Sequence, residues 1–243
     1  AVAALDAGVP VFSEKPMALD LAGCDAMLAA AARNNRALMV AQVLRFWPEY
    51  EALAEMVRDR RHGRLVTLGM ERLSTPPGRN WFGDHTRSGG AILDLHLHDV
   101  DWCCHALGTP ASLYAAGSVG VTGGIDEVTA LWTYADGAVA TIRGSWRSAG
   151  FVMRFLATFE NAVVSYGYDG KPGLQVRAVG AKESEAVPLE TTPDGYVREL
   201  RYFIDRLRDG APNTRCTPES TRESVARVFD ETASVREGRI IRY

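Results

Sequence analysis

The chain has 243 residues, of which 47% are hydrophobic and 23% are charged, as is typical of a globular protein with one or two domains. The net charge of -3 gives no indication of a nucleic-acid partner, and no apolar run approaches the roughly 20 residues that cross a membrane. The spacing of Cys24, Cys103, Cys104 and Cys216 matches neither a zinc nor a redox motif. We therefore expect reduced thiols and a cytoplasmic protein.

The first residues have an α/β pattern. Ala1 to Asp6 have the pattern of a helix end, and the short apolar run Val9 to Phe12 predicts a buried strand. The polar residues Ser13 to Pro16 follow at the carboxyl end of that strand, the edge at which ligands bind in open α/β sheets. Lys15 is therefore placed for chemistry, although a lysine before a turn proline can also simply face solvent.

The next elements continue this alternation. Asp20 is placed to cap an alanine-rich helix that runs to about residue 35, and residues 37–43 predict a second buried strand. Arg45 follows that strand, where it could meet an anionic or hydroxylated ligand or form an ordinary ion pair. Pro48 begins a further helix, which ends near residue 60.

Residues 1–45 therefore predict the second half of a doubly wound, Rossmann-type nucleotide-binding domain. No G-x-G-x-x-G sequence follows a strand in this chain, so the phosphate-binding loop of the first half is missing. The chain also begins without methionine, inside a helical pattern. We therefore expect it to be truncated at its N-terminus.

A strand over residues 64–73 leads into a loop that is rich in glycine and proline. This loop spans residues 74–87 and contains Trp81 and Phe82. Aromatic side chains on such a loop can cover a ligand, or they can anchor the loop to the core.

The most chemically suggestive segment follows Gly89-Gly90. We expect one helix from Gly89 to Leu107, in which Asp94, His98 and Asp101 lie at i, i+4 and i+7 and share a stripe. A carboxylate one turn from an imidazole can orient it and support proton transfer. Two alternatives remain, a salt link on a solvated helix face and a metal site, although the spacing matches no strong metal signature.

Beyond Gly108 the pattern changes from helical to alternating. Strands are predicted at residues 112–119, 127–134, 138–146, 152–159, 162–166 and 174–179. Asp136-Gly137 favours a hairpin turn, so the sheet should be mainly antiparallel. Helices are expected at residues 196–209 and 218–236, with a last short strand at 239–243. We therefore predict a second domain over residues 46–243, with helices on one face of its sheet. A homodimer or homotetramer would form through the other face.

Two motifs in this order resemble the Gfo/Idh/MocA oxidoreductases, the family of inositol dehydrogenases and glucose–fructose oxidoreductases. Glu14-Lys15-Pro16 is similar to the family's EKP motif, and Gly89 to Asp101 is similar to its GG-x-x-x-D-x-x-x-H-x-x-D helix. The long sheet and the two closing helices also match the family's C-terminal domain. The resemblance covers almost the whole chain. It implies a dehydrogenase that uses NAD or NADP on a small sugar, cyclitol or similar polyol.

The resemblance also implies roles for individual residues. Lys15, with Glu14 and Pro16, would border the nicotinamide, and Lys15 would orient the reacting hydroxyl. His98 would take the hydroxyl proton, and Asp94 would bind substrate and tune its neighbours.

Three further residues are implied as substrate contacts, namely Arg45, Trp81 and Asp101. His96 lies about 200° around a regular helix from both Asp94 and His98, so we expect it to pack rather than react.

Two other functions stay open at this point. Relatives with this architecture include hydrolases that use NAD without net redox change. A chain that lacks the glycine loop could also be a non-catalytic binding or oligomerisation domain.

Overall fold

A computed structural model of the chain describes residues 1–76, 78, 80–168 and 170–243. The helices are α1 (Val2–Asp6), α2 (Leu21–Arg33), α3 (Pro48–Arg58), α4 (His85–Ser88), α5 (Gly90–Asp94), α6 (Leu97–Leu107), α7 (Gly195–Asp209) and α8 (Pro218–Glu237). The strands are β1 (Val11–Ser13), β2 (Leu38–Val40), β3 (Leu65–Leu73), β4 (Ser112–Val119), β5 (Ile125–Thr133), β6 (Val139–Ser145), β7 (Val152–Phe159), β8 (Ala162–Tyr166), β9 (Leu174–Ala178), β10 (Glu185–Ala186) and β11 (Ile241–Arg242).

The N-terminal part has the predicted α/β arrangement. Strands β1 and β2 are parallel neighbours, with Val11 opposite Leu38 and Ser13 opposite Val40. Helix α2 connects them, and the Asp20 side chain caps it by accepting a hydrogen bond from the Gly23 backbone. This order and pairing confirm the Rossmann-type prediction for the first residues.

The remaining strands form one large sheet in the order β10-β9-β8-β7-β3-β6-β5-β4-β11. Neighbours are antiparallel except β3 and β6, which are parallel. The hairpin at Asp136-Gly137 joins β5 to β6, as the sequence predicted. The mainly antiparallel sheet is therefore confirmed, and β10 is a short edge strand that the sequence pattern did not reveal.

Helices α5, α6 and α8 pack on one face of this sheet. The other face has a row of paired positions that runs across five strands. Tyr114 lies opposite Leu131, Leu131 opposite Thr141, Thr141 opposite Gly69, and Gly69 opposite Leu156. The three large apolar side chains of this row, on β4, β5 and β7, are exposed. We call this row the outer sheet row.

The predicted continuous helix over residues 89–107 is wrong. Helix α5 ends at Asp94 and α6 begins at Leu97. The backbone N–H groups of Leu95 and His96 both donate to the Ala91 carbonyl, each over 2.9 Å, so the turn between the two helices is wider than an α-helical turn.

Helix α4 and a 3₁₀ turn at Trp81–Gly83 lie within the predicted 74–87 loop, of which Pro77 and Arg79 lie outside the described residues. In the described part of the chain, no helix is long and apolar enough to cross a membrane. The boundary between the two predicted domains at residue 45 stays a prediction.

Candidate active site

The structure brings Lys15 and Asp94 into direct contact. The Nζ atom of Lys15 donates to Asp94 Oδ1 over 2.8 Å and to the Asp94 backbone carbonyl over 2.7 Å. Both side chains are 17% exposed, so the pair lies at the surface of the protein and remains accessible. Lys15 follows β1 and precedes Pro16 through a cis peptide bond, while Asp94 ends α5. The contact therefore connects the carboxyl end of β1 with the end of α5.

The Gly89-Gly90 pair sets the direction in which α5 begins. Both residues have a positive φ, which is strained for residues with a side chain. A Cβ at Gly90 would lie 3.2 Å from the Ile125 carbonyl oxygen, so the backbone approaches β5 closely. The buried carboxylate of Asp126 accepts a hydrogen bond from the Ala91 backbone at the start of α5. This negative group at the helix N-terminus stabilises the segment that presents Asp94.

His98 lies in the first turn of α6, near the Lys15–Asp94 pair. Burial lowers the pKa of the His98 imidazole well below its usual range, and the positive charges of Lys15 and Arg72 lower it further. The imidazole is therefore neutral at pH 7 and has a free lone pair. Its Nδ1 atom is buried and has no hydrogen-bond partner among the described residues. A neutral imidazole beside an ammonium group can accept a proton from a bound hydroxyl.

Asp101 lies in α6 three residues after His98, but it does not share a stripe with Asp94, contrary to the sequence prediction. The wide turn at Leu95–His96 changes the rotation between residues before and after it, so the i, i+7 spacing does not hold Asp94 and Asp101 on one stripe. Asp101 is fully buried and forms a bidentate pair with Arg45, with N–O distances of 2.6 and 2.9 Å.

This buried pair gives Arg45 and Asp101 a structural role, and the expectation that they contact substrate stays a prediction. Arg45 is 3% exposed, and its Nη1 atom donates to Ser220 Oγ over 2.7 Å and to the Arg215 carbonyl over 3.1 Å. The hydroxyl of Ser224 donates to Asp101 over 2.7 Å. The polar atoms of the pair therefore bind one another, α8 and the segment before it, as a buried ion pair requires.

His96 packs in the interior, as expected from its position between Asp94 and His98. It is fully buried, and its Nε2 atom lies 2.7 Å from Glu231 Oε2 on α8. No sequence pattern indicates this partner, which lies 135 residues away.

The aromatic residues of the 74–87 loop lie against α5. Phe82 packs on Ala91, Leu95 and Trp146. Trp81 stacks on Phe82, with ring centroids 3.8 Å apart, and is 46% exposed. One aromatic therefore anchors the loop, and the other presents an open face next to the segment that ends at Asp94.

Sequence reasoning missed three buried charged residues around the site. Arg72 on β3 pairs with Asp99, which directly follows His98, through N–O distances of 2.9 and 3.1 Å. Glu199 on α7 is buried near Glu14. An arginine at a buried position of a strand signals a partner in the fold, and this signal could have identified Arg72.

Glu199 has an altered acidity. Burial raises the pKa of its carboxyl group to about 8, the charge of Glu14 raises it further, and a hydrogen bond from the Gln42 backbone acts in the opposite direction. Glu199 therefore holds a proton at neutral pH, beside the carboxyl ends of β1 and β2.

Two segments of this chain match models of known protein families. Residues 1–42 match the "Oxidoreductase family, NAD-binding Rossmann fold" model, and residues 50–169 match the "GFO/IDH/MocA C-terminal domain" model. The two matches lie on either side of the predicted domain boundary.

Similar proteins include dehydrogenases of cyclic alcohols. The inositol 2-dehydrogenase of Rhizobium meliloti is 31% identical over 85% of this chain, and the trans-1,2-dihydrobenzene-1,2-diol dehydrogenase of Mus musculus is 32% identical over 93%. The aligned regions cover 61% and 70% of those proteins, so the chain spans about three fifths of the length of the inositol dehydrogenase.

A solved structure shows the same fold. The UDP-N-acetylglucosamine 3-dehydrogenase of Acidithiobacillus ferrooxidans superposes with a TM-score of 0.79 at 25% identity, over 97% of this chain and 73% of that one.

Proposed function

Because this chain belongs to the Gfo/Idh/MocA family of oxidoreductases, we propose that the protein containing it is an NAD(P)-dependent dehydrogenase. Its substrate would be a hydroxyl or keto group of a sugar, cyclitol or similar polyol. The single observation that supports this most strongly is the contact of Lys15 with Asp94, next to the neutral imidazole of His98. None of the similar proteins reported above is a hydrolase or a non-catalytic domain, so the other two functions gain no support.

The described residues fit the nicotinamide end of such a cofactor. Lys15 and His98 are both partly exposed, and Lys15 follows the carboxyl end of β1, the edge at which dinucleotides bind in doubly wound sheets. Glu14, Lys15 and Pro16 would border the ring. The nicotinamide, when bound, supplies the hydride acceptor or donor. No described residue is assigned to the phosphates, because the chain has no glycine-rich loop after a strand.

The chain's own residues would handle the proton and the charge. His98 is neutral at pH 7, so it can accept the proton of a substrate hydroxyl. The Lys15 ammonium can donate to that oxygen and stabilise the negative charge that develops on it. Asp94 holds Lys15 in place with two contacts and can itself accept a hydrogen bond from a second hydroxyl. Trp81 offers an exposed aromatic face for the carbon skeleton of a ring.

We also infer that the protein works in the cytoplasm and associates with itself. The four cysteines are free, and Cys24, Cys103 and Cys216 are buried, as expected for a protein of a reducing compartment. The exposed outer sheet row is an apolar surface that a second copy of the chain could cover. We therefore propose a homodimer or a homotetramer.

The test uses the full-length protein that contains this chain. NADH and NADPH binding is followed by nicotinamide fluorescence, and turnover of inositols, aldoses and cyclic diols is followed by absorbance of the reduced cofactor. We expect binding of one of the two cofactors, turnover of at least one polyol, and loss of turnover in Lys15→Ala and His98→Ala. If the protein binds neither NADH nor NADPH, the proposal is overturned.

A further inference from the structure

The wide turn between α5 and α6 is held from one side by a buried polar network. His96 lies in this turn, and both His96 and Glu231 are fully buried. Glu231 Oε2 lies 2.7 Å from His96 Nε2, and Glu231 Oε1 accepts a hydrogen bond of 2.8 Å from Trp132 Nε1. The tautomer with the proton on Nε2 lets His96 donate to Glu231 in this contact. One carboxylate therefore connects the turn to strand β5.

Glu231, which binds this turn, lies on a helix that is itself bonded to the sheet. Ser234 lies three residues after Glu231 on α8, and its hydroxyl accepts a hydrogen bond of 2.9 Å from the Ala115 backbone on β4. Trp132 is fully buried on β5. Glu231 thus lies on a helix that Ser234 binds to β4, and Glu231 itself binds β5 through Trp132.

Strand β6 packs against the other side of His96 and leaves no space for a side chain at residue 144. Residue 144 on β6 is glycine, and a Cβ there would lie 2.6 Å from the His96 Cβ and 2.8 Å from its Nδ1. The ring therefore packs directly against the strand backbone. Any side chain at residue 144 would displace His96 and the turn with it.

We propose that His96 is a positioning residue, whose bond to Glu231 holds the wide turn and thereby fixes Asp94 relative to His98. Asp94 is the last residue of α5 and His98 is the second residue of α6, so the turn is the backbone that connects them. Lys15 binds Asp94, and its charge acts on His98, so a shift between the two helices changes both interactions. The expected effect on turnover rests on the function proposed above, whereas the placement of Asp94 relative to His98 does not.

The test compares variants that remove the network with one that changes a charge elsewhere on α8. His96→Leu/Glu231→Leu removes both partners together and so leaves no unpaired buried charge. Glu231→Gln keeps the size of the side chain but offers one acceptor oxygen to two donors. Glu223→Gln is the matched control, because Glu223 is an exposed glutamate of the same helix.

The main readout is the titration of His98, followed by NMR of labelled histidine. The chain has five histidines, and the His98 signal is assigned by its absence in His98→Gln. In the double variant we expect the His98 pKa to rise by half a unit or more toward its usual range. We also expect kcat to fall at least tenfold, with KM changed less than twofold. Glu231→Gln should change the His98 pKa and kcat in the same directions but by less. Glu223→Gln should change neither the His98 pKa nor kcat.

An unchanged His98 titration in a folded double variant overturns the proposal. If the double variant does not fold, Glu231→Gln decides in the same way. If the unmodified protein turns over no polyol, the proposed function fails, while the His98 titration still tests the positioning role. A shifted His98 pKa with unchanged kcat would overturn the catalytic consequence.

Discussion

The ammonium of Lys15 lies 2.8 Å from the carboxylate of Asp94, although 79 residues separate them in the chain. Each partner comes from a different predicted domain, and each is partly exposed. The pair lies at the carboxyl end of a Rossmann-type strand, the edge at which ligands bind in open α/β sheets, so its placement is typical of a functional pair.

The first prediction concerns the charge of Lys15. Lys15→Met should raise the pKa of His98, because the lysine charge is one of the causes that lower it. It should also lower kcat by roughly 100-fold or more, the usual effect of removing a donor to a developing oxyanion. NMR titration of histidine and steady-state kinetics measure the two effects. Lys182→Met, at an exposed lysine, is the control. A His98 pKa that stays constant in Lys15→Met contradicts the electrostatic coupling.

The second prediction is the pH dependence of the reaction. The His98 pKa is lowered, so the imidazole stays neutral and able to accept a proton as the pH falls from 8 to 6.5. We expect kcat/KM for alcohol oxidation to show no loss from His98 protonation above pH 6.5. The corresponding acid limb should lie well below that value. His98→Gln should lower kcat by roughly 100- to 10,000-fold. An acid limb near or above pH 6.5 that disappears in His98→Gln would show that the pKa is not lowered.

The third prediction separates structure from substrate binding at Arg45 and Asp101. Arg45→Met leaves the Asp101 carboxylate buried without its main partner, which typically costs about 3–5 kcal/mol of unfolding free energy. Denaturant unfolding measures this loss. Arg33→Met is the control, since Arg33 forms an exposed pair with Asp6 that solvent screens, so its loss should change the unfolding free energy little. If Arg45→Met raises KM and leaves stability unchanged, Arg45 binds substrate after all.

The elements and motifs of this protein were largely predictable, and the pairing of buried charges was not. The alternation of apolar residues predicted the strands of the large sheet. The motifs around Lys15 and Asp94 predicted one site, because each motif lies next to an element that the sequence pattern also predicts. The break at Leu95–His96 left no local mark, since it depends on a glutamate 135 residues away and on a glycine on β6. The partner of Asp101 was likewise decided by packing, which periodicity does not report.

The fourth prediction concerns Glu199. Its pKa is about 8 in the folded protein, whereas the carboxyl of an unfolded chain titrates near 4.5. Between these values the folded state binds more protons than the unfolded state, so stability falls as pH rises, by up to about 1.4 kcal/mol per pH unit. Glu199→Gln should remove this slope and be more stable than the unmodified protein at pH 8. Denaturant unfolding at pH 5, 6.5 and 8 measures it. Equal slopes in both proteins would show that Glu199 has an ordinary acidity.

The last prediction tests the outer sheet row as a contact between two copies of the chain. Three strands of the row carry an exposed apolar side chain, and Leu131 lies on the middle one of these, β5. Its side chain is 43% exposed. Leu131→Arg places a charge in the proposed interface, where its desolvation is costly, so the assembly should dissociate into smaller species. Light scattering coupled to size-exclusion chromatography measures the mass. Leu19→Arg is the control, because Leu19 has a similar exposure of 45% but lies in the N-terminal part, two residues before α2. A monomeric unmodified protein, or an equal loss of mass in both variants, would rule out this face as the interface.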